Sequence, residues 1–474
     1  MSKRTLGFWV LTALVVGNMV GSGIFMLPRS LAEVASPAGV LMAWLFTGLG
    51  VLMTALVFGN LSVRKPNLTG GPQVYAKALF KDGTEASTLS GYIVAWGYWV
   101  ANFAGNVAII TTFASYLSTF FPILTSEAVL FTVGSLDVTV GHLLTFLVCS
   151  ALLWGMHTLI LRGIEGAGKF NLVTTITKVL GFTFFILVAL FAFQKTNLLP
   201  MVVDRTTDGE TVGLLGQVSD AAVKTLWAFV GVESAVVLSS RARKQSDVRK
   251  STIVGLLIAL VIYMGITVLV MGTLSQTALI QAEKPLVDSL SSVLGSSGSS
   301  IMALLGMISM LGTSVGWIML SSEVPYQAAK AGLFPQVFLK ENAKGAPSRA
   351  LVITNLMSQL FIFSTISQSV SKAFDFVIVI ATLAYLVPYV VASIYQLKLV
   401  ITGEAYTNIE GKQRFFDGLV AALSTLYSLW VIQAGSGDMN TFLLGIGMLV
   451  VGLVFYPFLR TSKNRAPVDL SNRI

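Results

Sequence analysis

The chain has 474 residues, of which 54% are hydrophobic and only 11% are charged. A soluble domain carries about 25% charged residues, so this composition excludes an ordinary soluble enzyme or binding module and indicates a polytopic membrane protein. The net charge of +9 would also fit a nucleic-acid partner, so its meaning depends on where the basic residues lie. The single cysteine, Cys149, excludes an intrachain disulfide.

Apolar windows of about 20 residues predict transmembrane helices. The predicted fold class is therefore an all-α polytopic membrane protein with about twelve spans. The windows lie near 8–33, 38–61, 90–119, 142–161, 170–193, 220–240, 251–274, 300–328, 350–370, 374–397, 416–434 and 440–459. The third and eighth windows exceed a straight crossing, which indicates tilt or an extension beyond the bilayer. The segments between the windows are too short to form an added soluble domain.

The basic residues predict the orientation. If the N-terminus is cytoplasmic, 24 of the 31 lysines and arginines fall on the cytoplasmic side. This follows the positive-inside rule with both termini cytoplasmic and a multi-pass location in the cell membrane. It also explains the net charge without a nucleic-acid partner. Six basic residues fall at or near the outer face: Arg29, Lys195, Arg205, Lys224, Lys284 and Lys372.

The first window contains the segment VVGNMVGSGIFMLP, in which Gly17, Gly21 and Gly23 interrupt an apolar run. Each glycine costs about 1 kcal/mol relative to alanine in a helix interior. One interpretation is a broken helix, whose free N–H groups attract a carboxylate and whose free C=O groups attract an ammonium. An α-amino acid carries both groups. The alternative is close helix packing through the Gly17-x-x-x-Gly21 pattern, and the spacing alone does not choose between them.

The sixth window, TLWAFVGVESAVVLSSRARK, contains Gly231 and Glu233 just after Trp227. A carboxylate within the bilayer is costly and points to a function. Glu233 is expected to hydrogen-bond unwound backbone, to carry a proton or to pair with Lys178; as a neutral group it would tie two helices together. Four uninterrupted windows separate the first window from the sixth, which predicts two five-helix repeats that each begin with a broken helix.

Four further polar or aromatic residues lie within predicted spans. Lys178, about two turns into the fifth window, must pair inside the protein, lose its proton or serve a purely structural role. Asn102 and Asn106 lie one helical turn apart and share a face, where they either join helices or line a site. Trp317 lies near the middle of the eighth window, where it packs in a core or lines a pocket.

The sequence gives no indication of catalytic chemistry. His142 and His157 have no metal-ligand partners nearby, and no nucleophile–base pair is recognisable. We therefore expect no metal, no cofactor and no enzyme activity. A channel or sensor is also disfavoured, because neither needs two broken helices.

Several segments, in this order, resemble the amino acid–polyamine–organocation permeases: GSGIFMLP, GGPQVYAKALF, GNVAII, TLWAFVGVESAVVLSSRARKQSDVRKSTIVG and SSEVPYQAAKAGLFPQVFLKENAKGAP. Within that superfamily the chain is similar to the basic amino acid/polyamine antiporters, which include arginine–ornithine and arginine–agmatine exchangers. The resemblance covers nearly the whole chain and implies a LeuT-type fold. The implied parts are two inverted five-helix repeats (1–193 and 220–397), two further helices (416–459) and a cytoplasmic tail (460–474).

The resemblance also implies roles for individual residues. The substrate-binding set is Met19, Ser22, Gly23, Ile24, Asn102, Asn106, Trp227, Val230, Gly231 and Trp317. In this set the amides of Ser22 and Gly23 match those that hold the substrate carboxylate. The carbonyls that match the α-ammonium site are those of Met19, Trp227 and Val230. The residues that pack on the substrate side chain are Trp227 and Trp317, and those that form a polar wall at its end are Asn102 and Asn106.

Three residues match gating or ion-site positions. Tyr75 and Glu233 match gating residues, and Lys178 matches a lysine that stands where sodium-driven members hold sodium. The last match implies sodium-independent transport. One position departs from the arginine–agmatine exchanger, which has a serine near the substrate side chain where this chain has Ala381, with Thr382 next.

The sequence thus predicts an antiporter of a cationic amino acid such as arginine or ornithine. The alternatives are exchange of lysine, tyrosine or histidine for its decarboxylation product, and proton-coupled uptake. The expected partners are small amino acid substrates and the lipid bilayer. The oligomeric state, a homodimer included, stays open.

Overall fold

The computed structural model describes residues 6–68, 71–134, 136–162, 164–207, 210–237, 239, 242–367, 369–406, 411–435 and 439–463. The helices of the first half are α1 (Phe8–Met19), α2 (Gly23–Val34), α3 (Pro37–Arg64), α4 (Pro72–Leu79), α5 (Glu85–Leu117), α6 (Val140–Arg162), α7 (Ile164–Ala192), α8 (Leu214–Ala228) and α9 (Ser234–Val237). Those of the second half are α10 (Gln245–Thr273), α11 (Gln276–Gln281), α12 (Pro285–Lys330), α13 (Ser348–Ile362), α14 (Ser364–Ser367), α15 (Val370–Thr402), α16 (Gly411–Gly435) and α17 (Met439–Lys463). Two short antiparallel hairpins pair β1 (Val129–Val133) with β2 (Leu136–Thr139) and β3 (Arg205–Thr207) with β4 (Glu210–Val212).

The described helices confirm a polytopic membrane architecture. Nine of them are long and apolar enough to cross a bilayer, and α1 with α2, which meet at 45°, makes a tenth candidate span. The predicted fifth and sixth windows do not correspond to helices of this set. The described apolar part of α7 covers only Ile176–Ala192, and the sixth window is interrupted between α8 and α9.

The long third and eighth windows correspond to long helices, with differences at their ends. Helix α5 has 33 residues and α12 has 46, whereas about 20 residues span the hydrocarbon core. Helix α12 begins at Pro285 rather than near residue 300, because its serine-rich first part lowers hydropathy without preventing a helix. The backbone leaves the helical conformation at Gly295 (φ 63°, ψ −150°), so α12 consists of two helical segments. The prediction of an all-α fold also missed the two hairpins, which lie between apolar windows.

Helix α5 lies at the centre of the molecule. It packs against α12, α15, α4 and α13, while α10 packs against α3 and α1. Most of α5 is buried, whereas α17 exposes large apolar side chains on its outer surface. The surface of α17 is therefore suited to contact with lipid. The candidate functional site lies where α5, α10 and α12 meet the ends of α1, α2 and α8.

A buried carboxylate joins α3 to α16 at one end of the bundle. Asp417 of α16 is only 2% exposed. Its Oδ1 accepts hydrogen bonds from Asn60 Nδ2 (3.0 Å) and Gln413 Nε2 (2.8 Å), and its Oδ2 accepts one from the Tyr406 hydroxyl at 2.9 Å. Arg64 Nη2 lies 3.5 Å from the same Oδ2. The carboxylate thus satisfies three neutral donors and one cation.

We expect Asp417→Ala to lower the free energy of unfolding by about 3–5 kcal/mol, because it removes the buried carboxylate that accepts from Asn60, Gln413 and Tyr406 and faces Arg64. The measurement is the thermal unfolding midpoint in detergent micelles. Asp82→Ala is the matched control: the Asp82 side chain is 91% exposed beside Lys77, and such surface pairs contribute about 0–1 kcal/mol. Equal midpoints for the two variants would contradict a stabilising role of Asp417.

Candidate functional site

The first predicted span is interrupted, which agrees with the broken-helix interpretation of its glycines. Helix α1 ends at Met19 and α2 begins at Gly23. The Met19 carbonyl lies at the end of α1 and bonds to groups outside that helix. It accepts hydrogen bonds from the Tyr263 hydroxyl and from the Gly21 N–H, both at 2.7 Å. Ser22 is buried, and its hydroxyl has no hydrogen-bond partner among the described residues. The interruption therefore presents a free hydroxyl and backbone groups inside the protein.

The sixth predicted span is interrupted as well. Helix α8 ends at Ala228 and α9 begins at Ser234. Between them Gly231 adopts a φ of +102°, a conformation that side-chain-bearing residues rarely adopt. A Cβ at Gly231 would lie 3.3 Å from the backbone C and from the Cβ of Asn18. Asn18 Nδ2 also donates to Ser234 Oγ at 2.8 Å, so the two interruptions lie directly against each other.

A small cavity lies where the interruptions meet. Its volume is about 10 Å³, and it is lined by Asn18, Met19, Gly21, Ser22, Gly23, Ile109, Trp227, Val230, Tyr263 and Trp317. Six of these lining residues belong to the predicted substrate-binding set. The volume corresponds to about one water molecule, so an amino acid fits only after the surrounding side chains move.

Two indole rings form one side of this cavity. The ring centroids of Trp227 and Trp317 are 6.0 Å apart at an interplanar angle of 41°. Trp317 Nε1 donates to the Asn18 carbonyl at 3.2 Å, which ties the ring to the first interruption. Gly105 of α5 makes room for both rings, because a Cβ there would lie 2.9 Å from Trp227 Cη2 and 3.2 Å from Trp317 Cζ3.

The two asparagines lie on the same face of α5 but do not line the cavity. Asn102 Nδ2 donates to the Tyr98 carbonyl at 2.6 Å, and Asn106 Nδ2 donates to Ser321 Oγ at 2.8 Å. Both side-chain oxygens are buried without a partner among the described residues. The bond from Asn106 to Ser321 joins α5 to α12. The side-chain oxygens of both asparagines can still accept a hydrogen bond from a further donor.

Two other predicted residues also lie away from the cavity lining. Ile24 is buried in the first turn of α2, next to Gly23. Tyr75 is buried in α4, where its ring stacks on Tyr395 at a centroid distance of 6.1 Å. Its hydroxyl has no partner among the described residues. Gating by Tyr75 therefore stays a prediction.

Glu233 is held at the second interruption by three donors. Its Oε1 accepts from the Tyr98 hydroxyl at 3.0 Å, and its Oε2 accepts from the Tyr389 hydroxyl at 2.9 Å and from the Gly231 N–H at 3.2 Å. Of the predicted alternatives, the hydrogen bond to unwound backbone is thus present. The ion pair with Lys178 is not formed.

Lys178 of α7 is instead bound to the first interruption. It is 7% exposed, and its Nζ donates to the Val20 carbonyl at 2.8 Å and to Thr313 Oγ1 at 3.0 Å. Val20 follows the last residue of α1, where the helix dipole places partial negative charge. The ammonium is therefore compensated by backbone carbonyl charge and a hydroxyl, without a carboxylate.

Ion pairs tie three helices together at one end of the site. Arg29 of α2 lies 2.7 Å from Glu33 and 3.9 Å from Asp375 of α15, and Lys224 of α8 lies 3.6 Å from the same Asp375. Ser30 Oγ donates to Asp375 Oδ1 at 2.7 Å. Two basic residues that the sequence placed near the outer face thus join α2, α8 and α15.

Four residues in or beside the cavity were missed as candidates. Asn18 lies inside the glycine-rich segment, and Gly105 lies between Asn102 and Asn106 in the sequence. Their position next to predicted site residues was therefore a signal that could have identified both. Tyr263 lies in a largely apolar stretch, and Ile109 is an aliphatic residue among aliphatic neighbours, so neither residue carries such a signal. Only the packing of α10 and α5 against the interruptions brings these two to the cavity.

Comparisons with known proteins identify the family of the chain. The family model of the amino acid permeases matches residues 6–456. The "Putative arginine/ornithine antiporter" of Bacillus subtilis (strain 168) is 56% identical over 456 residues, covering 95% of this chain and 96% of that protein. The "Arginine/ornithine antiporter" of Pseudomonas aeruginosa is 35% identical over 440 residues, covering 92% and 87%. The match spans the helices, both interruptions and the cavity, so the chain belongs to the amino acid permease family.

Proposed function

We propose that the chain is a cytoplasmic-membrane antiporter that exchanges cationic amino acids, arginine against ornithine, by alternating access. The observation that carries the proposal is the contact of the two helix interruptions at Gly231 and Asn18, beside one shared cavity. The substrate pair is taken from the printed names of relatives at 56% and 35% identity.

The two charged groups of an α-amino acid have matching backbone groups at the interruptions. The first N–H groups of α2, at Gly23 and Ile24, have no partner within the helix, and together with the Ser22 hydroxyl they would hold the carboxylate. The carbonyls of Met19 and Val230 would receive the α-ammonium. Each carbonyl has two lone pairs, so Met19 keeps acceptor capacity beside its present donors. A bound zwitterion thus neutralises both helix ends.

The proposed architecture is the LeuT-type fold with both termini cytoplasmic. In this arrangement residues 1–193 and 220–397 form two inverted repeats, 416–459 form two further helices and 460–474 form a cytoplasmic tail. The interruption between α1 and α2 would begin the first repeat, and that between α8 and α9 would begin the second. Paired interruptions in two halves are a general feature of such transporters, which supports the proposal.

The indoles supply the proposed gate. Because the cavity is about 10 Å³, Trp227 and Trp317 must separate to admit an amino acid. A substrate cation over an indole face gains about 0.5–2 kcal/mol, so closure of the rings on the side chain favours the occupied state. Glu233 and Tyr75 would act in gating, and Lys178 would hold the first interruption without sodium.

Exchange in liposomes tests this function. Vesicles containing the purified chain are loaded with ornithine or left empty, and labelled arginine is supplied outside. We expect uptake only into the loaded vesicles, because the return step requires a counter-substrate. Equal uptake into empty vesicles would contradict antiport, and uptake driven by an imposed proton gradient would establish the proton-coupled alternative instead. Uptake of neutral amino acids only would contradict the cationic substrate class.

A further inference from the structure

A group of exposed apolar side chains surrounds the start of α6. Phe121 and Ile123, which follow α5, are each 56% exposed, and Val129, Leu130 and Phe131 of β1 are 54%, 50% and 51% exposed. These five residues lie outside the candidate membrane-spanning helices. A monomeric protein in water rarely exposes contiguous apolar patches of more than a few hundred Å², so this group indicates a contact surface.

Backbone hydrogen bonds fix the segment before β1 against the first turn of α6. Val140 N donates to the Ala128 carbonyl at 2.8 Å, and Gly141 N donates to the Ser126 carbonyl at 3.0 Å. Both donors are N–H groups that the start of a helix leaves without an intrahelical partner. A Cβ at Gly141 would lie 2.7 Å from the Leu124 carbonyl oxygen, so the chain approaches α6 as closely as a glycine permits. The hairpin therefore has a fixed position at this end of α6.

Within the hairpin, β2 packs on the protein while β1 leaves its apolar side chains uncovered. Val129 pairs with Thr139 and Phe131 pairs with Val138, so Leu130 is an extra residue at a bulge. A regular strand would place Leu130 on the opposite face from its two neighbours, and a bulge re-aims such a side chain. Val138 is only 3% exposed, and β2 packs against α14. The contact surface therefore belongs to β1 and not to β2.

The length of α6 places the hairpin at the surface of the bilayer. Helix α6 (Val140–Arg162) is a candidate span of 23 residues, and only 28% of its apolar window is buried, so most of that window faces lipid. Its length of about 35 Å, at 1.5 Å per residue, only slightly exceeds the hydrocarbon core of about 30 Å. Val140 therefore lies near the boundary between acyl chains and headgroups. The edges of the hairpin carry unpaired backbone groups, which do not enter the hydrocarbon, so its backbone lies at headgroup depth.

We propose that the β1–β2 hairpin is an interfacial membrane anchor, whose exposed side chains insert into the lipid leaflet around the start of α6. Lipid is the partner that fits, because the apolar group continues the lipid-facing surface of α6 and β1 contains no charged residue. Phenylalanine and leucine are among the side chains that interfacial segments bury at the boundary of headgroups and acyl chains. The only charged residues of segment 121–140 are Glu127 and Asp137, so insertion depends on apolar area and not on anionic headgroups. The anchor is independent of the substrate that the protein transports.

Fluorescence quenching in the full chain tests the anchor. Phe131→Cys is labelled with nitrobenzoxadiazole and reconstituted in phosphatidylcholine vesicles. Cys149, the single native cysteine, is fully buried and does not compete for the label. We expect a nitroxide on the upper acyl chain to quench this label several-fold more strongly than the same label at Asp82→Cys. Iodide on both sides of the membrane should show the reverse order. Asp82 is the matched control because its side chain is 91% exposed in a turn between helices.

Every other quenching pattern overturns the proposal. Iodide quenching at position 131 equal to that at position 82 would place the hairpin in water. Protection from both quenchers, with energy transfer between donor-labelled and acceptor-labelled chains, would assign the surface to a second copy of the chain. Protection from both quenchers without energy transfer would place the label inside the protein. If Phe131→Cys does not fold, Val129→Cys decides by the same criterion.

Discussion

Gly105→Ala is expected to raise the KM for arginine exchange by about 10- to 100-fold while the protein stays folded. The added methyl group would lie 2.9 Å from Trp227 Cη2 and 3.2 Å from Trp317 Cζ3, so at least one indole must leave its position. Overpacking of this kind costs about 1–3 kcal/mol, and each 1.4 kcal/mol corresponds to a factor of ten in affinity. Alanine also favours the helix by about 1 kcal/mol over glycine, which offsets the cost to stability but not the cost to the pocket.

Gly97→Ala on the same helix is the matched control. A Cβ at Gly97 would meet the flexible end of Leu449 at 3.2 Å and the Ala384 carbonyl at 3.5 Å, and it touches neither indole. The measurements are the KM in ornithine-loaded vesicles and the thermal unfolding midpoint of each variant. An arginine KM for Gly105→Ala within twofold of the Gly97→Ala value would show that the indole positions do not govern binding.

The sequence predicted those parts of the site where a residue type is out of place for a membrane helix. Glycines in an apolar run marked the interruption before Gly23, and a carboxylate at Glu233 marked the second one. In the structure the two interruptions touch at Gly231. A local departure from the membrane pattern thus marked where to look for the helix breaks, because each departure has a direct energetic cost within one helix. It left close packing open as the alternative for the first segment, and the structure decides for the break.

The remaining features depend on contacts between distant helices, which no local pattern encodes. The hydroxyl of Tyr263 binds the Met19 carbonyl across 244 positions in the chain, and the apolar window around Tyr263 gives no indication of which face meets α1. The sequence did not determine the partner of Lys178 for the same reason. Whether its ammonium reaches Glu233 or Val20 depends on the rotation of α7, which the sequence of that helix alone does not determine.

Lys178→Met is expected to reduce exchange by about 10- to 100-fold. Methionine keeps an unbranched chain of similar length but removes the ammonium, so the Val20 carbonyl at the end of α1 loses its charged donor. A hydrogen bond to a charged group contributes about 1.5–3 kcal/mol, and the favourable charge at the negative end of the helix dipole is lost as well. The first interruption then lacks the contact that joins it to α7, and the backbone groups proposed to bind the substrate lose their fixed position. The measurement is the initial rate of arginine uptake into ornithine-loaded vesicles.

Thr313→Val distinguishes the contributions of the two hydrogen bonds that Lys178 Nζ donates. It removes the Thr313 Oγ1 acceptor at 3.0 Å but leaves the Val20 bond at 2.8 Å, so we expect a reduction several-fold smaller than that of Lys178→Met. Replacing sodium by choline should leave the wild-type rate unchanged, because the ammonium already supplies a cation at the interruption. If Lys178→Met gains a dependence on sodium, an inorganic cation is taking over the position of the ammonium. Wild-type rates for Lys178→Met in choline would instead mean that the end of α1 is held in place by its packing and by Tyr263, without any charge from α7.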